Sequence, residues 1–149
     1  MNTYLSLDEG YRDTQILIVE DSTVERRRIE AILIKLGYKP LTAVDGANAA
    51  EVIVRTRNID VVLCDWDLPV LSGLDLCKAI RNDPSIRQPY FIMLTGHSKP
   101  VDMVAAMDAG ADDFIPKPSW IEEIRVRIQS GIRQRRLCNS LCREARCTK

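Results

Sequence analysis

Short apolar runs alternate with amphipathic stretches along most of this chain. Ile16-Leu17-Ile18-Val19 has the unbroken hydrophobicity of a strand buried on both faces, and it stops at Glu20-Asp21. Ser22 or Thr23 is placed to cap a helix with apolar positions Val24, Ile29, Ile32, Leu33 and Leu36, closed by Gly37. A weaker strand covers Lys39–Val44, followed by a helix through Ala47, Ala50, Val52, Ile53 and Val54. Asp60–Asp65 reads as a third strand and again ends in a carboxylate. Leu74, Leu76, Cys77 and Ile80 mark a third helix beyond the Pro69–Gly73 loop, and Tyr90–Leu94 is a strand ending at Thr95. Val101, Val104, Ala105 and Met107 lie on a fourth helix that ends near Gly110. Asp113-Phe114-Ile115 is a short fifth strand leading into Pro116-Lys117-Pro118. A last helix begins near Ser119, carries Ile121, Ile124, Ile128 and Ile132 as one stripe, and runs past Arg136.

Five strands alternating with five helices predict a parallel sheet covered on both faces. Right-handed crossovers then build a doubly wound α/β fold. In such a sheet all strand carboxyl ends share one edge, where ligands bind. Three of these strands end in polar groups: Glu20-Asp21, Asp65 and Thr95, with Lys117 just after the fifth. Residues about a hundred positions apart are therefore expected to meet.

Crowded carboxylates repel, and a hard divalent cation offsets this by taking oxygen ligands. Mg²⁺ suits two carboxylates, a backbone carbonyl, waters and a phosphate oxygen, and Mn²⁺ is an expected substitute. Lys117 and the Thr95 hydroxyl offer a cation and a donor to a transferred phosphoryl group. The Asp65 carboxylate is then itself the nucleophile, as in aspartyl-phosphate enzymes.

Composition narrows the setting. The chain has 149 residues and a formal net charge of zero, which argues against a surface built as a nucleic-acid footprint. Residues 1–120 carry 13 Lys/Arg against 18 Asp/Glu, whereas residues 121–149 carry 8 against 3, an acidic body with a basic tail. The reading is a leader over 1–14, a main domain over 15–130 and a basic helical extension or linker over 131–149. Nucleic-acid binding by that extension is not expected, because aromatic interleaving is missing. Five cysteines at 64, 77, 138, 142 and 147 form no CxxC pair and no zinc spacing. Their odd number fits a reducing compartment, and a cytoplasmic location off the membrane is expected.

Four segments in order and spacing resemble the receiver domains of two-component response regulators. They are Ile16–Asp21, Val61–Gly73, Met93–Gly96 and Ala109–Pro118. The resemblance covers about residues 14–130 and implies a flavodoxin-like (βα)5 sheet in the order 2-1-3-4-5. It implies that Asp65 accepts phosphate from a sensor histidine kinase or histidine phosphotransfer protein. It further implies that Asp21, Asp65 and the carbonyl of Asp67 bind Mg²⁺, with Glu20 acting through water. Lys117 and Thr95 meet the phosphoryl oxygens, the backbone N–H groups of Trp66 and Gly96 face them, and Phe114 is the aromatic switch residue. The Lys117-Pro118 peptide is expected to be cis, as is usual in the family.

Two departures carry consequences. Glu20 stands where Asp is commoner, and Phe114 replaces the frequent Tyr. Asp67 and His97 occupy the two variable positions that tune the lifetime of the phosphoryl group in the family. The likeness is greatest to receivers joined to diguanylate cyclases or other effector domains. It implies a switching face of fourth helix, fifth strand and fifth helix, read by an effector domain or by a second copy, the last helix being another possible dimer seam. No enzyme activity is expected beyond self-phosphorylation from a donor and slow autodephosphorylation. The competing readings are a phosphatase of the haloacid dehalogenase type, for which Asp65-Trp66-Asp67 supplies the aspartate pair, and a pseudo-receiver that acts only as an interaction module.

Overall fold

The structure is a computed structural model describing residues 13–97, 99–118 and 120–147, with side chains described as far as residue 137. The predicted alternation is present as β1 (Ile16–Val19), α1 (Thr23–Lys35), β2 (Leu41–Ala43), α2 (Gly46–Thr56), β3 (Val61–Asp65), α3 (Gly73–Asn82), β4 (Tyr90–Thr95), α4 (Pro100–Asp108), β5 (Asp113–Pro116) and α5 (Ile121–Cys147). The strands form one parallel sheet in the order β2-β1-β3-β4-β5. β1, β3 and β4 are buried throughout, as their unbroken apolar sequences require.

Side-chain alternation along the strands divides the core into two layers. On one face Ile16, Ile18, Leu63, Ile92 and Leu94 pack with Ile29 and Leu33 of α1 and with Ile124, Ile128 and Ile132 of α5. On the other, Leu17, Val19, Val62, Phe91 and Met93 meet α2, α3 and Ala106 of α4. Helix starts are fixed locally. Ser22, Asp45 and Ser72 accept hydrogen bonds from the backbone N–H groups of Glu25, Asn48 and Asp75.

Several expected core positions differ. Val24 is exposed, because the first turn of α1 stands at the rim of the sheet, where no layer covers it. In α2 the buried positions are Gly46, Ala49, Val52 and Ile53, while Ala47, Ala50 and Val54 face water. Gly46 sets this phase, since a Cβ there would fall 2.8 Å from a methyl of Leu71. In α4 the apolar residues Val101, Val104 and Met107 are exposed and Ala106 is buried. β2 is shorter than expected at its two ends. Residues 1–12 of the expected leader lie outside the described residues; Thr14, near its end, is buried. α5 continues as helix into the expected extension as far as Cys147 and is about 40 Å long over its 27 residues.

No helix among the described residues is long and apolar enough to cross a membrane.

Candidate functional site

β1, β3 and β4 deliver their terminal polar groups to one edge, and the result is a buried acidic pocket. Glu20 is 1% exposed, Asp65 5% and Thr95 0%, whereas Asp21 is exposed. One carboxylate oxygen from each of Glu20, Asp21 and Asp65 lies within 4.8 Å of the others. Lys117 reaches in from the end of β5, its Nζ 3.2 Å from Asp65 Oδ1 and 3.5 Å from Glu20 Oε2. The Lys117 backbone N–H donates to the Thr95 carbonyl at 2.7 Å, which carries the β4–β5 pairing to this point. The Lys117-Pro118 peptide is cis, as expected.

Local turns place each group. Ser22 N–H donates to Glu20 Oε1 at 3.1 Å and turns that carboxylate back over the strand end. Arg26, one turn into α1, donates to the carbonyls of Glu20 and Asp21 at 3.0 and 3.4 Å. This backing role was not anticipated, and only its place in the first turn of α1 hinted at it. Gly73 lets α3 start against the site: a Cβ there would sit 2.4 Å from the Asp65 carbonyl oxygen.

The electrostatics follow from crowding. Burial raises the Glu20 carboxyl most, the Ser22 N–H opposes it, Asp65 adds to it and Lys117 draws it down, leaving Glu20 at about 7. Burial pulls the Lys117 ammonium down, but Asp65 and Glu20 outweigh it and hold the group above its ordinary value. The donor set consists of hard carboxylate oxygens in a charge excess that one ammonium does not cancel, and this fits a divalent metal. Cys64, beside Asp65, is fully buried with its thiol pushed up by that burial, so it is an inert packing group, as is buried Cys77.

One expectation changes at the pocket mouth. The Trp66 N–H, expected to face a phosphoryl group, donates to the Leu94 carbonyl at 2.9 Å because β3–β4 pairing continues through it. The amide that meets the acceptor is that of Asp67, which donates to Asp65 Oδ1 at 3.3 Å. Asp67 and His97 are partners: His97 Nε2 lies 3.0 Å from Asp67 Oδ1, so Nε2 carries the proton. That hydrogen bond holds the imidazole above its ordinary pKa. The Trp66 ring lies 5.0 Å from the His97 ring, and the His97 N–H donates to Thr95 Oγ1 at 2.7 Å. Gly96 leaves open space where a Cβ would be. Phe114, opposite Met93 in the β4–β5 register, is buried in the core layer that contains Ala106.

Comparison with known proteins agrees with this geometry. The family model for the response regulator receiver domain matches residues 16–129. Chemotaxis protein CheY1 of Helicobacter pylori is 31% identical over 116 residues, covering 77% of this chain and 94% of its own. Response regulator ArlR of Staphylococcus aureus is 37% identical over 121 residues, covering 81% of this chain and 53% of its own. The chain spans about half the length of several curated relatives that it matches. Among solved structures, the receiver domain of the sensor histidine kinase PA1611 from Pseudomonas aeruginosa, with a magnesium ion coordinated in its active-site cleft, superposes with a TM-score of 0.73 at 34% identity. That alignment covers 80% of this chain and 97% of the other. A match running from β1 into α5 takes in the whole sheet and the pocket at its edge, and this chain belongs to the response regulator receiver domain family.

Proposed function

We propose that this chain is a phosphorylation-dependent switch whose Asp65 takes a phosphoryl group from a sensor histidine kinase or a histidine phosphotransfer protein. The observation that carries this reading is the meeting of Asp65 with Lys117 at 3.2 Å, beside the two carboxylates that follow β1. An Asp65 carboxylate oxygen attacks phosphorus while the N–P bond of the donor phosphohistidine breaks. The electron pair stays on the imidazole nitrogen, which takes up a proton. Lys117 neutralises the phosphoryl oxygens, and the Thr95 hydroxyl and the amides of Asp67 and Gly96 donate to them. Asp21, Asp65 and the Asp67 carbonyl would hold Mg²⁺, or Mn²⁺ in its place, with Glu20 acting through water. When bound, the ion supplies positive charge against the charge that builds on those oxygens. Asp67 and His97 flank the acceptor and set how long the phosphoryl group lasts.

Phe114 then links Thr95 to the α4–β5–α5 face. On that face Val101, Val104 and Met107 are exposed, which supports a reader of apolar character, either an effector domain or a second copy.

The test is mass spectrometry after incubation with acetyl phosphate and Mg²⁺. One phosphoryl group should be added, none with EDTA, and none in Asp65→Asn. Undiminished incorporation in Asp65→Asn removes Asp65 as the acceptor. Steady turnover of phosphomonoesters by the unmodified chain would instead support a phosphatase.

A further inference from the structure

α4 is held at its two ends more than along its length. Its middle offers the sheet only Ala106, and Ala109 follows just past the last turn, while Val101, Met103, Val104 and Met107 face water. The carboxyl end is knotted to α3 by Arg81. Its Nε donates to the Gly110 carbonyl at 2.9 Å, one terminal nitrogen pairs with Asp112 Oδ2 at 2.7 Å, and the other donates to Pro89 O and Gln88 Oε1, each at 2.9 Å. Asp112 also accepts the Phe91 N–H at 2.8 Å, so the knot reaches β4. Gly110 has φ 102°, and a Cβ there would fall 2.7 Å from Arg81 Cγ.

The amino end is held differently. The loop that enters α4 is held by His97, through its exposed pair with Asp67, its ring against Trp66, and its N–H on Thr95 Oγ1. An exposed pair is individually weak. The carboxyl end is therefore held by a five-bond knot that reaches β4, and the amino end by the cap bond from the Lys99 N–H to Asp102 Oδ2 at 3.2 Å, one bond to buried Thr95 and one exposed pair.

We infer that the Asp67–His97 bridge is a latch on the entry to α4 and the Arg81–Asp112 knot its hinge, so that α4 opens from its first turn when Asp65 is phosphorylated. This rests on Asp65 being the acceptor. The coupling is coulombic and competitive. The Asp67 amide already bonds the Asp65 carboxylate, so phosphorylation replaces that single negative charge by about −1.5 to −2 beside the Asp67 carboxylate. The phosphoryl oxygens also compete with Asp67 Oδ1 for the His97 ring N–H, and they accept from the Thr95 hydroxyl, drawing toward themselves the oxygen on which the His97 N–H rests.

Hydrogen exchange by mass spectrometry on the unphosphorylated full chain tests the latch without relying on the acceptor. His97→Ala and Asp67→Ala should each speed exchange of the 101–104 amides about two- to five-fold and leave 109–112 unchanged. The double variant should be no faster than the faster single one. Arg81→Lys should do the reverse, loosening 109–112 and sparing 101–104. Unchanged exchange at 101–104 in both single variants, or equal acceleration at both ends of α4, overturns the latch. Beryllofluoride with Mg²⁺ on the unmodified chain should speed the same 101–104 amides. If the variants loosen those amides and beryllofluoride does not, the latch exists but Asp65 does not drive it, and the inference fails at the coupling.

Discussion

α4 and α5 both cover the β4–β5 side of the sheet, and they are seated in opposite ways. α5 drives Ile124, Ile128 and Ile132 into the layer against Leu63, Ile92 and Leu94, each of them buried. α4 presents an alanine to the sheet and four larger apolar side chains to water. Burial of an isoleucine stabilises by roughly 1.5–3 kcal/mol, and an alanine gives much less. Stability therefore resides in α5, and freedom to respond resides in α4 and the loops that meet it. The proposed switch needs both, because a segment that moves must be drawn from the weakly held end of the structure.

The largest expected effect tests the scaffold half of this contrast. Ile128→Ala should cost about 2–5 kcal/mol in urea unfolding, since the cavity it leaves is walled by the sheet on one side and α5 on the other. A cost below about 1 kcal/mol would mean that α5 is not the anchor.

The next effect concerns the pocket that the loops surround. Glu20 has its carboxyl raised from 4.5 to about 7 in the folded state. A carboxyl raised on folding binds more protons folded than unfolded. Its contribution to metal-free stability is thus full below pH 4.5 and is lost as pH rises through about 7. Mg²⁺ acts in the opposite sense, because it binds the ionised carboxylates. At ten to a hundred times its Kd it should add about 1–3 kcal/mol near neutral pH and distinctly less near pH 5. Thermal unfolding at the two pH values, with Mg²⁺ and with EDTA, reads this directly. An equal gain at both would place the metal away from Glu20.

Much of this site was legible before any coordinates, for a physical reason. Long-range convergence at a parallel sheet edge is dictated by topology, so Asp21, Asp65, Thr95 and Lys117 could be gathered from where their strands end. What stayed hidden depends on loop geometry. The pairing of Asp67 with His97 joins two turns thirty residues apart, and no periodicity encodes it. The Trp66 amide was misassigned because pairing with β4 runs one residue past the end of β3. α4 was misjudged in another way. Val101, Val104 and Met107 have the spacing of a core stripe, but spacing cannot tell a stripe that faces the sheet from one that faces a partner.

A smaller effect lies in the loop after β3. Val70 is fully exposed with φ 68°, a left-handed conformation that a β-branched side chain adopts at a cost. Val70→Gly removes that strain and should be stabilising by about 0.5–1 kcal/mol, the gain being limited by the greater freedom of glycine in the unfolded chain. Destabilisation in urea would show that the Val70 side chain holds the loop by contacts.

The smallest expected change in stability is also the sharpest test of the contrast. Val104 lies on α4 just outside the buried Ala106 and is 58% exposed. Replacing it by Ser removes apolar surface that water already reaches, so unfolding should shift by no more than about 0.5 kcal/mol in either direction. Binding is a separate matter. If the outward stripe of Val101, Val104 and Met107 is what a second copy or effector reads, Val101→Ser/Val104→Ser should abolish any self-association that beryllofluoride and Mg²⁺ induce. The monomer should keep its fold and its labelling at Asp65. A stability loss of several kcal/mol would show that α4 is part of the scaffold after all, and the two helices would no longer divide the labour between them.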